Sequence, residues 1–269
     1  MNSRLNKYDL STLSAFSALG PLGTDATLGV QVPELRELMM AEQAMPAEFD
    51  NEGPAFSDWP VGIHVPESYE PGYAYPLVIW LHEDGGNEAA LDHVIPAISD
   101  RNYIGLSFRA NCRMSAWPVE RYRWSMTMDE SRFFEEVLYC TVVQLRRAYH
   151  IHSERIAIGG SGSGATLALQ TLLRRPDWFS GAFMLGGRMP ALEQPMLHYQ
   201  QLRNKRVLQI ADTSDPRLDV DEFKKLRRLL YTAGMEVEMS VAETNVPCEE
   251  TLRSVDYWMM DALMRPSFA

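Results

Sequence analysis

The chain has 269 residues, 46% hydrophobic and 23% charged, enough for one large α/β domain whose core needs no disulfide staples. Its formal net charge of −11 argues against nucleic-acid binding, which draws on a surplus of Lys and Arg to displace counterions, and against an anionic membrane surface. Three widely spaced cysteines, Cys112, Cys140 and Cys248, with no CxxC pair, fit reduced thiols in a cytoplasmic protein better than a disulfide framework.

Residues 1–55 have small, polar and acidic residues and no strand-like run. A short helix is expected there from Pro33 to Ala44, with Leu35, Leu38 and Met39 on one apolar face. The segment reads as an arm on the domain formed by residues 56–269. The first residues, interrupted by Asp9 and rich in serine, do not resemble a secretory leader, and no apolar run approaches the roughly eighteen residues of a membrane span.

From about residue 60 the pattern alternates. Apolar runs at Val61–Val65, Leu77–Leu81, Ile104–Phe108, Ile156–Ile158, Ala182–Leu185, Val207–Ile210 and Val237–Val241 predict strands. Helical periodicity between most of them predicts helices over Glu88–Ser99, Asp129–Tyr149, Gly164–Arg174, Val220–Ala233 and Glu249–Met264. Near-continuous apolar strands alternating with helices imply a mostly parallel sheet covered on both faces.

Several stretches together resemble the phospholipase/carboxylesterase family of α/β-hydrolases. Y-P-L-V-I-W-L-H-E-D-G-G-N-E (Tyr75–Glu88) is similar to the family's strand and oxyanion loop. R-Y-R-W (Arg121–Trp124) resembles its tyrosine-tryptophan loop, Y-H-I-H-S-E-R-I-A-I-G-G its approach to the nucleophile, and R-V-L-Q-I-A-D-T-S-D-P the strand and turn of its triad acid. The resemblance spans roughly residues 60–264. It implies an α/β-hydrolase fold and hydrolysis of acyl ester or thioester bonds by a Ser-Asp-His triad without a cofactor.

The residues at those positions depart from the triad. A nucleophile elbow, G-x-S-x-G, sets its serine in a strained strand-to-helix turn. In I-G-G-S-G-S-G-A three registers compete: Gly162 central between Gly160 and Gly164, Ser161 central, or Ser163 central. Spacing to the flanking family segments favours Gly162, where a left-handed backbone costs glycine nothing. Asp215 stands where the resemblance puts the acid, although an Asp-Pro turn residue is the simpler reading. The triad order requires a histidine beyond the acid, yet the last of the six histidines is His198. The corresponding segment, V-A-E-T-N-V-P-C-E-E, has Asn245 or a neighbour there, and asparagine cannot carry the serine proton. Where the family has glycine after the L-H pair this chain has Glu83, followed by Asp84, and two carboxylates there oppose charge developing on an oxyanion unless both point to solvent.

These departures point to a degenerate hydrolase acting as a binding or scaffold module, its ligand held near His82, Glu83, Asp84, Ser161 and Ser163, with an unidentified protein or small-molecule partner. The alternative is a serine esterase or thioesterase using Ser161 or Ser163 with a non-standard base. A third reading places chemistry on Glu83 or Asp84 themselves. His82, Glu83, Asp84, Asp92 and His93 lack the spacing of a zinc motif, so no metal and no cofactor are expected. An anion at the elbow's helix N-terminus is a further option. Lys224, Lys225, Arg227 and Arg228 follow acidic residues on a predicted helix, an arrangement that suits the helix dipole.

Overall fold

The computed structural model describes residues 59–115, 120–125, 127–191, 198–215, 218–243 and 246–264. The expected helix Pro33–Ala44 and Asn245 lie outside them. Among the described residues seven strands form one sheet, in the order β1-β3-β2-β6-β7-β8-β9. They are β1 (Val61–His64), β2 (Tyr75–Leu81), β3 (Ile104–Phe108), β6 (Ile151–Ser161), β7 (Gly181–Leu185), β8 (Arg206–Asp212) and β9 (Glu236–Ala242). β1 runs antiparallel to β3 and every other pairing is parallel, the mostly parallel sheet that the apolar runs imply.

Alternation along β2 shows how the sheet divides its side chains. Leu77, Ile79 and Leu81 enter one core with α2 (Met128–Ala148), α3 (Gly162–Arg174) and α5 (Val220–Thr232). Val78 and Trp80 enter the other, with α1 (Leu91–Ile98) and α6 (Glu249–Met264). All seven β2 side chains are buried, which is why the strand lacks a polar face in the sequence. Helix starts are set by local chemistry. Thr127 caps α2, with Asp129 and Glu130 in its first turn and Arg146 and Arg147 in its last; Asp219 caps α5 by accepting from the amides of Asp221 and Glu222. These placements satisfy amides that have no helical partner and oppose the helix dipole.

Four elements differ from the sequence expectation. The helix anticipated over Glu88–Ser99 opens as a separate 3-10 turn at Glu88–Ala90, capped by Asn87, before α1 begins. A two-stranded hairpin, β4 (Cys112–Ser115) with β5 (Arg121–Arg123), was not anticipated, nor was the short helix α4 (Tyr199–Leu202). β6 reaches back to Ile151, which pairs with Tyr75, so Ile151 and His152 belong to a strand rather than to the loop before one. No helix of the described residues is long and apolar enough to cross a membrane.

Candidate functional site

The C-terminal ends of β2, β6, β7 and β8 all open on the same edge of the sheet, where parallel α/β proteins bind ligands. β6 passes into α3 without an intervening loop: Ser161 ends the strand at the N-cap position, its side chain making no cap bond, and Gly162 is the first helical residue. The helix thus starts two residues earlier than the expected Gly164. The turn is made by a φ of +53° at Gly162, a left-handed backbone that an L side chain adopts at a cost of about 1–2 kcal/mol. On either side the glycines are fixed by space. A Cβ on Gly160 or on Gly164 would come within 2.1 Å of the Leu81 carbonyl oxygen at the end of β2. That oxygen belongs to a central strand and cannot yield.

The turn's tip is therefore Gly162, framed by two sterically required glycines, with Ser161 before it and Ser163 after it. Ser161 is 2% exposed. Ser163 is partly exposed and its hydroxyl donates to Asp84 Oδ1 at 2.6 Å. Directly over the tip stands Glu83: a Cβ on Gly162 would lie 3.2 Å from Glu83 Cβ and 3.7 Å from its Oε2. The loop carrying Glu83 and Asp84 is tied down by the hairpin, with Gly85 N donating to Tyr122 O at 2.8 Å and Tyr122 N to Gly86 O at 3.1 Å. Two exposed carboxylates thus stand at the first turn of α3, Glu83 over Gly162 and Asp84 on the Ser163 hydroxyl.

His82 does not belong to this opening, contrary to its place among the expected binding residues. Its side chain is buried, and Nε2 accepts from the amide of Ala110 at 3.1 Å. The ring proton must then sit on Nδ1, which donates to the Glu83 carbonyl at 2.7 Å. Trp124 lies against the ring, 5.3 Å between centroids, and donates its indole N–H to the His82 carbonyl at 2.7 Å. Burial lowers the imidazole's pKa below its ordinary value, outweighing the bond to Glu83 that favours the charged form. His82 is a neutral tie between β2, the end of β3 and the Trp124 loop.

At the end of β8 the structure adds a residue that sequence reasoning missed. Asp212 is 8% exposed; its Oδ1 accepts from the amide and hydroxyl of Ser214 at 2.8 and 2.5 Å, and its Oδ2 from the amide of Val246 at 3.3 Å. Its signal was faint, a carboxylate closing an apolar strand two residues before a serine. Asp215, which stands where the resemblance puts the triad acid and reads more simply as an Asp-Pro turn residue, lies three positions on in the turn, where its carbonyl accepts from Leu218 N. Beyond β7, Gly186 and Gly187 both have positive φ, and a Cβ on Gly187 would meet the Gly162 carbonyl oxygen at 2.9 Å. The β7 turn thus packs directly on the elbow. Among the described residues no three His, Cys, Asp or Glu side chains are grouped to hold a metal ion.

A parallel sheet flanked by helices, with a glycine-framed turn delivering a helix N-terminus to its C-terminal edge, defines an α/β-hydrolase fold. Solved structures agree with that architecture. A carboxylesterase from Bacillus cereus superposes with a TM-score of 0.60 at 20% identity, covering 77% of this chain and 95% of that one. A carboxylesterase from Mesorhizobium loti gives 0.59 at 14%, covering 75% and 94%, and a phospholipase/carboxylesterase from Dyadobacter fermentans gives 0.54 at 17%, covering 74% and 95%. No curated protein matches the sequence. The family model for phospholipase/carboxylesterase matches residues 88–259, and the chain belongs to that family.

Proposed function

We propose that this chain is a non-hydrolysing member of its family that acts as a binding or scaffold module through the opening above α3. The observation that carries the reading is the identity of the elbow's tip. The left-handed residue between the two space-restricted glycines is Gly162, so the position from which a family nucleophile would project carries no side chain. The absence of any histidine beyond Asp215 supports the same reading, because a hydroxyl without a base does not attack an ester at a useful rate. Glu83 and Asp84 support it further, since their charge opposes an oxyanion at the helix N-terminus. In this reading Gly162, Asp215 and Asn245 are vestiges of a triad, Glu83, Asp84, Ser161 and Ser163 line what remains of the pocket, and neither cofactor nor metal takes part. The reading takes the protein to be cytoplasmic, which its three widely spaced cysteines support.

One contact favours a second reading, a serine esterase or thioesterase. Ser163 donates to a carboxylate at 2.6 Å, which gives that hydroxyl a neighbour able to take a proton. The two readings part in one assay. Purified full-length protein is incubated with 4-nitrophenyl butyrate and, separately, with a fluorophosphonate probe. The binding-module reading expects release at the buffer rate and no labelled serine. Turnover that disappears in Ser163→Ala, with the probe on Ser163, would replace it by the esterase reading.

A further inference from the structure

Helix α5 presents a face that its own fold leaves unused. Phe223, Leu226 and Leu230 point inward, Leu226 and Leu230 fully buried. On the outward side Val220, Lys224, Arg227 and Tyr231 follow at i, i+4, i+7 and i+11, a spacing that stacks them in one row. Val220 and Tyr231 are 51% and 74% exposed, large values for apolar side chains. Lys224 and Arg227 are exposed between them, with Lys225 and Arg228 on the neighbouring flank. Among the described residues none of these four cations closes an ion pair. The helix's own acids answer them only weakly: Asp219 caps the helix and reaches Lys225 only through space, and Glu222 accepts from Met189 N at 3.1 Å. Asp221 shares the flank of Lys225 and Arg228, one turn before Lys225, and forms no ion pair with either among the described residues. Four unpaired cations and two exposed apolar residues on one helix are conspicuous in a chain of net charge −11.

The complementary chemistry is in the same chain. Residues 37–58 contain Glu37, Glu42, Glu48, Asp50, Glu52 and Asp58, no Lys or Arg, and several methionines besides Phe49 and Phe56. This stretch leads directly into Trp59, which is anchored by donating to the Arg109 carbonyl at 2.8 Å and by packing on Phe133 of α2 at 5.6 Å between centroids. α2 and α5 cover the same face of the sheet. Four strand spacings separate β3 from β8, on the order of 20 Å, whereas 22 extended residues reach on the order of 70 Å. Tethering matters because exposed ion pairs are individually weak. An attached segment sees the helix at an effective concentration on the order of millimolar, which a free acidic peptide does not.

We propose that the outward row of α5 is the docking surface for the chain's own acidic segment, residues 37–58, held by its carboxylates on Lys224, Lys225, Arg227 and Arg228 and by its aromatic or methionine side chains on Val220 and Tyr231. The test uses the intact chain. The sequence has four lysines, Lys7, Lys205, Lys224 and Lys225, so a carbodiimide, which joins carboxylate to amine with no spacer, gives links that mass spectrometry assigns without ambiguity. In an equal mixture of ordinary and nitrogen-15 protein, links from residues 37–58 to Lys224 or Lys225 are expected within single-isotope chains. Links to Lys205 or Lys7 instead, or no links at all, overturn the proposal, and mixed-isotope links overturn it in favour of a second copy. A second measurement follows cleavage after Glu42, Glu48 and Glu52 by a glutamate-specific protease. Lys224→Glu with Arg227→Glu, both exposed and remote from the core, is expected to speed this cleavage about threefold or more by releasing the segment, and added salt to do the same in wild type. Equal cleavage in wild type and variant, at unchanged melting temperature, overturns it.

Discussion

At Gly162 two physical constraints coincide that act separately elsewhere in the elbow. Its backbone is left-handed, and the space a side chain would take is bordered by Glu83. Gly164 has ordinary dihedrals but faces the Leu81 carbonyl oxygen, 2.1 Å from where a Cβ would sit. The two glycines should therefore answer to alanine differently. Gly162→Ala is expected to cost about 1–2 kcal/mol, the price of a left-handed L residue, since Glu83 Cβ at 3.2 Å needs to give by only a few tenths of an ångström. Gly164→Ala is expected to cost about 3 kcal/mol or more, since strand and helix must separate. Urea unfolding of both variants measures the difference. His82 permits a prediction in pH. Its folded pKa is lowered by burial, so below the ordinary value of about 6.5 the unfolded chain binds the proton first. Its contribution to stability is complete above that pH and is lost as the pH falls toward 5. His82→Gln should flatten this acid slope, measured by urea unfolding between pH 5 and 8. A residual slope should persist, because burial lowers the pKa values of His64 and His152 as well.

Between elements, charge is placed where packing alone would leave a gap. Glu135 of α2 has a side chain only 2% exposed, and it receives Arg174 and, at 2.9 Å, Arg175 from the end of α3. Arg175 also stacks over Trp178, 5.3 Å from its centroid. Removing the carboxylate by Glu135→Ala should cost about 2 kcal/mol, the scale of hydrogen bonds to a charged partner. The cost stays below that of stripping a wholly buried pair, because Arg175 can turn to solvent. Thermal unfolding at low and high salt would show a loss that salt hardly changes. Elements of this kind also show why parts of the fold were legible. β2, β3 and β7 announce themselves because burial on both faces demands uninterrupted apolar runs. The β4–β5 hairpin could not be read: Cys112–Ser115 and Arg121–Arg123 are short and lack alternation, and their position is fixed by hydrogen bonds from Tyr122 to Gly85 and Gly86, more than thirty residues earlier in the chain. His82 was misjudged for the same reason. Its burial depends on Ala110, 28 residues away in sequence, and no local pattern encodes that meeting.

Across the whole molecule the fold is that of the phospholipase/carboxylesterase family, and the proposal that its hydrolytic residues have been lost can be tested by reversal. Family chemistry needs a nucleophile, a base and an unopposed oxyanion site at once, so restoring them one at a time should do nothing. Gly162→Ser places a hydroxyl at the tip but leaves Glu83 3.2 Å from its Cβ position, and no histidine beyond Asp215 to take the proton. Adding Asn245→His supplies a base in the segment next to Val246, whose amide already binds Asp212 at 3.3 Å. Adding Glu83→Gly then clears both the contact and the opposing charge. The triple variant is expected to hydrolyse 4-nitrophenyl acetate on the order of a hundredfold faster than Gly162→Ser alone, the scale of a positioned general base, and to be labelled by a fluorophosphonate at position 162. The double variant, Gly162→Ser with Asn245→His, should remain near the single one. If Gly162→Ser alone matched the triple variant, Glu83 and the missing histidine would not be what keeps the site silent. Inertness of all three variants, with melting temperatures close to wild type, would show instead that the pocket has changed beyond the three positions the resemblance identifies.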